Sequence, residues 1–246
     1  CEVYERVTRM HVYERTPYAG ALVFAAFSGS HQDAIAKGMN WRKEKQLHQW
    51  TCPYIPIDPH DIGRTYDADV IRINSQSGKG GIGFLLQQNY GYNPPPKMRE
   101  DLGYRVKDVS DHEHRELSVK EVLGVFENSY LNHTQPLNVP DAHFIQNSDG
   151  SITANVVVTG GGSTVKCTAT GNGRLDAVAT AIEQQTGMHF TLVHYSEHAL
   201  DSDTNSRACS YVGLKWASGE ETWGCGTHTD IIVAGIKALV SAINNK

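Results

Sequence analysis

The last hundred or so residues repeat one short pattern, and this repeat constrains the fold more than any other feature of the chain. The segment VKCTATGNGRLDAVATAI aligns with ETWGCGTHTDIIVAGIKA when Gly171 is placed over Gly226. In each copy, strand-like sequence leads into a glycine-containing turn and then into helix-like sequence, and Val178-Ala179 coincides with Val233-Ala234. The repeat predicts a pseudo-symmetric α+β domain of two strand-strand-strand-helix units, with the helices on one face of antiparallel sheets.

The sequence before the repeat predicts two small mixed subdomains. Proline and asparagine in NHTQPLNVPDAH mark a boundary, beyond which the sequence becomes β-rich. We therefore divide the chain into residues 1–85, 86–137 and 138–246.

In the first subdomain, GALVFAAFSGSHQDAIAKG predicts a helix that carries His31 near its start and ends at Gly38. The prolines of YIPIDPHDIGR then favour an irregular connection. Alternation in DADVIRINSQSGKGG predicts a strand and a glycine-rich turn, and IGFLLQQNYG is read as the return strand.

The second subdomain is predicted to contain two helices. Met98, Leu102 and Val106 recur at helical spacing, and SVKEVLGVFENSYLN opens with Ser118-x-x-Glu121. That spacing is a capping box, in which the serine oxygen and the glutamate carboxylate accept hydrogen bonds from N–H groups at the helix start.

Composition narrows the range of partners and compartments. A formal charge of −5 with interspersed signs provides no basic stripe for nucleic acid and no polybasic membrane patch. Five widely spaced cysteines without a Cys-x-x-Cys pair favour reduced thiols. No apolar run approaches the roughly 20 residues of a membrane span and no signal-type leader is present. We expect a soluble cytoplasmic protein and, because the sequence begins at Cys1, a piece of a longer chain.

Most local clusters have ordinary structural explanations. Ser28, Ser30 and Asp33 lie along the same turn as His31, so these residues cannot converge as a hydrolase triad. SQSGKGG lacks the spacing of a phosphate loop. DHEHRE is read as a solvated charge run in a polar linker, because His112 and His114 do not imply convergent metal ligands.

The segment TGNGRLDA leaves two interpretations open. It places Gly171, Asn172 and Gly173 between a strand end and a helix start, where free N–H groups favour a carboxylate or phosphate. A tight strand-to-helix turn with no ligand explains the same residues. The segment is not a dinucleotide fingerprint, because the third glycine is missing.

Three segments together resemble the C-terminal half of the 2-isopropylmalate synthase family: LVFAAFSGSHQDAIAKG, PYIPIDPHDIGRTYDADVIRINSQSGKGG, and GNGRLDA followed by HYSEHAL. The resemblance runs from about Pro17 to the C-terminus. It implies an acyltransferase of leucine biosynthesis that condenses acetyl-CoA with 3-methyl-2-oxobutanoate in an N-terminal TIM barrel. Two linker subdomains and a leucine-binding regulatory domain follow the barrel in this family.

No segment of the chain resembles the barrel or its metal ligands. We therefore expect no cofactor in this chain and a divalent metal, Mg, Mn or Zn, in the missing barrel. On this basis the chain alone is expected to be inactive and to form a homodimer.

The resemblance assigns candidate site residues by matching motifs. His31 and Tyr66 are the candidate catalytic residues and would reach into the barrel of the partner subunit. There His31 would assist deprotonation of the acetyl methyl group or thioester hydrolysis, and Tyr66 would hold the polarised intermediate. The candidate leucine-binding residues are Gly171, Asn172, Gly173, Leu175, Tyr195, Ala199 and Ser206. The sequence departs from the family at Arg174, where proline is common, and in GTHTDI, where a smaller and more apolar run is typical.

Three alternatives remain open. The chain is a stand-alone binding or assembly module without activity, it complements a separately encoded barrel, or it belongs to a related synthase that uses another 2-oxo acid such as pyruvate. Substrate selection lies mainly in the barrel, so this sequence does not decide between 2-oxo acids.

Overall fold

A computed structural model of the chain describes residues 1–20, 22–24, 29–64, 79–115, 117–200 and 206–246. The chain divides into two compact units, Cys1–Leu123 and Gly124–Lys246. The helices of the first unit are α1 (Glu2–Thr8), α2 (Gly29–Lys45), the 3-10 helix η1 (Pro59–Ile62), α3 (Lys79–Tyr90), α4 (Pro96–Glu113) and the start of α5 (Val119–Tyr130).

The second unit contains two copies of a three-strand-plus-helix motif. The first copy consists of β1 (Leu137–Gln146), β2 (Ile152–Gly160), β3 (Ser163–Gly171) and α6 (Arg174–Thr186); the second consists of β4 (Phe190–Ala199), β5 (Ala208–Trp216), β6 (Glu221–His228) and α7 (Ile231–Asn244). Both sheets are antiparallel, with orders β1-β2-β3 and β4-β5-β6. Helix α6 packs on β2 and β3, and α7 packs on β5 and β6. The predicted α+β class is therefore confirmed.

The two copies share one apolar core, and small residues let the helices approach the sheets. Ala177 and Ala181 of α6 and Ala234 and Ala238 of α7 are fully buried. A Cβ on Gly226 would overlap the backbone of Ala234. Any larger residue at position 226 would push α7 outward, so this glycine of the repeat is a packing residue.

The element order of the repeat is as predicted, but the residue alignment is wrong. Val178 is the fifth residue of α6 and fully buried, whereas Val233 is the third residue of α7 and only half-buried. The N-caps are Gly173 and Asp230, and aligning these caps shifts the register of the two copies. The strand-to-helix turn has the same length in both copies, but Gly171 is the last residue of β3 whereas Gly226 lies before the end of β6, so matching these two glycines displaced the sequence alignment.

Two predictions for the first unit are also wrong. Helix α2 continues through Gly38 to Lys45, because Gly38 serves close packing: a Cβ there would overlap Cδ of Pro53. The segment IGFLLQQNYG lies in α3 and is not a strand. The strand predicted over DADVIRINSQ lies in residues 65–78, outside the described residues.

The prediction of two helices in 96–130 is confirmed, including the cap between them. The Ser118 amide donates to Glu121 Oε2 at 2.7 Å, and the Glu121 amide donates to Ser118 Oγ at 3.3 Å. Arg115 Nη2 donates to Glu121 Oε1 at 2.6 Å. These hydrogen bonds lower the pKa of Glu121 to about 2, and the one from Arg115 has the largest effect. His112 lies in the last turn of α4 and His114 is its C-cap, so DHEHRE is a helix end and not a linker.

Candidate functional site

The exposed ring of His31 stacks on the ring of Tyr54, with centroids 4.1 Å apart and planes 30° apart. His31 lies in the first turn of α2, as predicted. The Ser28 residue and the side chains of Ser30 and Asp33 lie outside the described residues. The described partner of His31 is thus an aromatic ring from a turn that follows α2 in sequence.

Residues 50–55, which we call the 50–55 turn, follow one face of α2. Ile55 is 2% exposed and belongs to the same core cluster as Ile35. Pro53 contacts Gly38, and the Cys52 thiol lies 4.0 Å from the Ile35 carbonyl oxygen. The turn is therefore fixed to the helix over several residues beyond His31.

The other candidate catalytic residue, Tyr66, lies outside the described residues. The chain is described up to Arg64, whose guanidinium stacks over the Phe24 ring at 5.2 Å and donates to the Gly20 carbonyl oxygen at 2.8 Å. The segment immediately before Tyr66 thus packs within the first unit. The joint placement of His31 and Tyr66 stays a prediction.

The Gly171-Asn172-Gly173 turn connects β3 to α6 in the second unit. Gly173 is the N-cap of α6 and provides no side-chain hydrogen bond to the helix. The Asp176 carboxylate accepts a hydrogen bond from the Asn172 amide at 2.8 Å. A Cβ on Gly171 would lie 2.6 Å from this carboxylate and 2.5 Å from the Ala177 amide nitrogen, so the turn has room only for glycine there.

Two candidate leucine-binding residues meet beside α7. A Cβ on Gly235 would lie 3.2 Å from Tyr195 Oη and 3.8 Å from Leu175 Cδ1. Leu175 comes from the first turn of α6 and Tyr195 from β4. The structure therefore brings both copies of the motif to one place, lined by an aliphatic side chain, a tyrosine and a bare helix backbone.

Tyr195 is 40% exposed, and its hydroxyl donates to Glu197 Oε2. Burial, together with this hydrogen bond and the negative charge of Glu197, raises the pKa of Tyr195 to about 12. The hydroxyl consequently stays protonated at physiological pH and remains a donor. Tyr195 and Glu197 are two residues apart in β4 and therefore share one face of the strand.

Ala199 and Ser206 lie at the end of the same hairpin. Ala199 is the last residue of β4 and shares the Tyr195 face, and it pairs with Ala208 of β5. Ser206 follows residues 201–205, which lie outside the described residues. The part of Ala199 and Ser206 in a common site with Leu175 stays a prediction.

Among the described residues, no three His, Cys, Asp or Glu side chains form a group that could hold a metal ion. None of the helices in the described ranges is long and apolar enough to cross a membrane.

Sequence reasoning missed Tyr54, Glu197 and Gly235. Tyr54 is in the quoted segment PYIPIDPHDIGR, but nothing in its spacing indicates that it stacks on His31. Glu197 is two residues after Tyr195, a strand spacing that places both on one face. Gly235 follows Val233-Ala234, and a glycine inside an apolar helix indicates close approach of a neighbouring residue.

Comparison with known proteins shows which class of protein contains these two units. Residues 116–246 match the family described as the LeuA allosteric (dimerisation) domain, and the chain belongs to this family. Residues 21–87 match the domain described as alpha-isopropylmalate synthase, post-catalytic domain-like. In this order the two domains correspond to the C-terminal portion of 2-isopropylmalate synthase, as the resemblance predicted.

Three curated relatives, all named 2-isopropylmalate synthase, match along nearly the whole chain. The protein of Desulfitobacterium hafniense is 49% identical over 241 residues, which cover 98% of this chain and 43% of the relative. That of Helicobacter hepaticus is 48% identical, covering 99% and 45%, and that of Rhizobium meliloti is 40% identical, covering 99% and 44%. The chain spans less than half the length of these relatives.

Proposed function

We propose that this chain is the regulatory and active-site-completing portion of a cytoplasmic 2-isopropylmalate synthase, the acyltransferase that joins acetyl-CoA and 3-methyl-2-oxobutanoate. Its second unit binds leucine as a feedback effector and dimerises, and its first unit supplies His31 and Tyr66 to a barrel that holds the divalent metal. The subdomain limits 1–85, 86–137 and 138–246 are part of this proposal. The observation that carries it is the meeting of Leu175 and Tyr195 beside Gly235.

The chemistry of this place suits a small zwitterion with an apolar side chain. The N-terminus of α6, capped by Gly173 without a side-chain bond, offers N–H groups to a carboxylate. The carboxylates of Asp176 and Glu197 lie in the first turn of α6 and on β4 and would serve the ammonium group. Leu175 and the bare backbone at Gly235 would accommodate an isobutyl group.

A thermal-shift series with the variant Gly235→Ala tests this assignment. The added methyl group would lie 3.2 Å from Tyr195 Oη, tighter than ordinary contact, and would take up space that we assign to the effector. We expect the variant to fold normally. It should need at least a tenfold higher leucine concentration to reach the same rise in Tm. The matched control is Gly124→Ala, also a helical glycine, where an added Cβ would have no atom of the described residues within 4 Å. Equal leucine responses in both variants would remove Gly235 from the site.

The proposed role of His31 and Tyr66 needs a barrel from outside this sequence. His31 is exposed at the start of α2, where it is accessible to a second polypeptide segment. A condensation of this type needs a base for a weakly acidic C–H bond and electrophilic help for the ketone. A chimaera in which this chain replaces the matching portion of the Desulfitobacterium hafniense relative would supply the barrel.

In that chimaera, His31→Gln and Tyr66→Phe should each lower kcat for CoA release by roughly 100-fold, the usual size of a lost acid–base group. The exposed tyrosine variant Tyr13→Phe is the control. Wild-type turnover in both site variants would contradict the catalytic assignment without affecting the leucine proposal.

A homodimer is supported by the family's description as a dimerisation domain and by apolar side chains on β4. Leu192 is 39% exposed and Val193 43% exposed on this edge strand. Light scattering of the chain should give twice the monomer mass, and Val193→Lys should shift the equilibrium toward the monomer. A monomeric parent chain would contradict the dimer.

The same experiments separate the open alternatives. A dimer without any leucine response favours a stand-alone assembly module. CoA release when the chain is mixed with a barrel-only protein favours complementation in trans, and faster turnover with pyruvate than with 3-methyl-2-oxobutanoate in the complete enzyme indicates the related synthase.

A further inference from the structure

The 50–55 turn contacts α2 at positions 31, 35, 38 and 42, which share one face of a helix. Tyr54 stacks on His31, Ile55 and Cys52 lie against Ile35, and Pro53 lies against Gly38. At the far end, the Arg42 guanidinium lies 4.6 Å from the centre of the Trp50 ring. The turn is therefore aligned along three turns of the helix, with Tyr54 at the end that carries His31.

Tyr54 occupies a backbone conformation that its own side chain disfavours. Its φ is +62°, in the left-handed region where bulky residues are outliers. The surrounding contacts maintain it: the Ile55 amide donates to the Cys52 carbonyl oxygen at 3.4 Å, and Trp50 Nε1 donates to the Ile55 carbonyl oxygen at 2.7 Å. Residues held in such conformations cluster at functional sites.

Core packing does not explain why a tyrosine occupies this place. Its side chain is 63% exposed, whereas Ile55 next to it is almost fully buried. Glycine would adopt the same φ without strain. Among the described residues, the ring contact that tyrosine makes and glycine could not make is the stack on His31.

We propose that Tyr54 is a positioning residue for His31: the 50–55 turn holds its ring so that the imidazole of His31 has one orientation at the start of α2. The effect of Tyr54 on the reaction, but not the ring stack itself, rests on the proposed catalytic role of His31. A stacked ring contacts the imidazole through its face, so the two ring nitrogens at the edge remain available to a substrate. Fixing an exposed imidazole before substrate binds removes an ordering cost from the reaction, since misplacement by about 1 Å can cost 10²-fold in rate.

The structural part is tested on the chain as it is, by proton NMR of the histidine rings. The His31 resonances are assigned by their loss in His31→Gln. A ring stacked at 4.1 Å shifts them upfield and gives cross-relaxation between the His31 and Tyr54 ring protons. We expect both signals in the parent chain and in Tyr54→Phe, which keeps the ring. Tyr54→Leu, with the same backbone strain and no ring, should lose both.

The control is Tyr104→Leu, because Tyr104 is also 63% exposed and lies in the same unit. It should leave the His31 resonances unchanged. Absence of the upfield shift and of cross-relaxation in the parent chain would overturn the stack, whether or not Tyr54→Leu folds. A Tyr54→Phe variant that behaves like Tyr54→Leu would show that the hydroxyl, and not the ring, is responsible.

The functional part is tested in the chimaera with the Desulfitobacterium hafniense barrel. Tyr54→Leu should lower kcat by roughly 10- to 100-fold with little change in KM, and Tyr54→Phe should restore the rate. If NMR confirms the stack but kcat is unchanged in Tyr54→Leu while His31→Gln is impaired, the positioning role is refuted. If His31→Gln is also active, the proposed catalytic role of His31 fails instead.

Discussion

Replacing Gly38 with alanine should destabilise the first unit, although alanine is the better helix former. In an open helical site the exchange stabilises by about 1 kcal/mol. Here the new Cβ would overlap Cδ of Pro53, and the proline ring is held in the 50–55 turn next to buried Ile55. Overpacking of a fixed neighbour costs about 1–3 kcal/mol. The steric cost exceeds the propensity gain, so we expect a net loss of up to about 2 kcal/mol.

Urea unfolding followed by far-UV circular dichroism and tryptophan fluorescence measures this loss. Gly124→Ala in α5 is the matched control, because its Cβ would contact nothing within 4 Å and should stabilise by roughly 0.5–1 kcal/mol. The propensity gain cancels between the two variants, so their difference isolates the steric cost of about 1–3 kcal/mol. In a Pro53→Ala background the cost of Gly38→Ala should disappear. Stabilisation by Gly38→Ala equal to that of the control would refute the close packing that we assign to this glycine.

Two further variants test the cap and the end of the chain. Because the pKa of Glu121 is lowered from 4.5 to about 2 in the folded chain, its stabilising effect is full above pH 4.5 and is lost as pH falls toward 2. Glu121→Gln should therefore lower Tm at pH 7 and leave it unchanged near pH 2; a difference independent of pH would contradict this. Asn244→Ala should cost about 1–3 kcal/mol in urea unfolding, because the Asn244 amide group bonds both the N–H and the C=O of buried Leu137 at 2.9 and 2.7 Å. Lys246→Ala, which removes an exposed ion pair, should change stability by less than about 0.5 kcal/mol, and equal losses in both would refute the role of Asn244.

Local sequence signals predicted those elements whose residues interact with near neighbours. Ser118 and Glu121 are three residues apart, so their mutual hydrogen bonds follow from spacing alone. The helix over Met98, Leu102 and Val106 follows from periodicity, and all three side chains are buried. The strand-strand-strand-helix order follows from two matched successions of strand, glycine turn and helix.

The two wrong predictions for the first unit share a physical cause, which is a glycine used for packing. Gly38 suggested a helix end, but it makes room for Pro53 from another segment. The glycine-rich SQSGKGG predicts a turn and IGFLLQQNYG a return strand, yet Gly83 lies in α3, where an added Cβ would lie 2.7 Å from Arg99 Cδ of α4. Ile82, Leu85 and Leu86 are buried at helical spacing, which was the available signal for α3.

The candidate site was predictable only in part because its residues converge across the fold. The Gly171-Asn172-Gly173 turn and Leu175 are adjacent in sequence and could be found together. Tyr195 and Gly235 meet them through packing of β4 and α7, which no local pattern specifies. The stack of Tyr54 on His31 likewise depends on how the 50–55 turn returns along α2.

Calorimetric titration of this chain with L-leucine measures directly whether the second unit binds the proposed effector, with L-lysine as the control ligand. We expect saturable heat for leucine and none for lysine, whose charged side chain an apolar pocket would reject. Binding to the folded state should also stabilise the chain by about 2.7 kcal/mol at a leucine concentration 100 times Kd. Absence of heat and of any change in stability at millimolar leucine would refute leucine binding by this chain, whatever its oligomeric state.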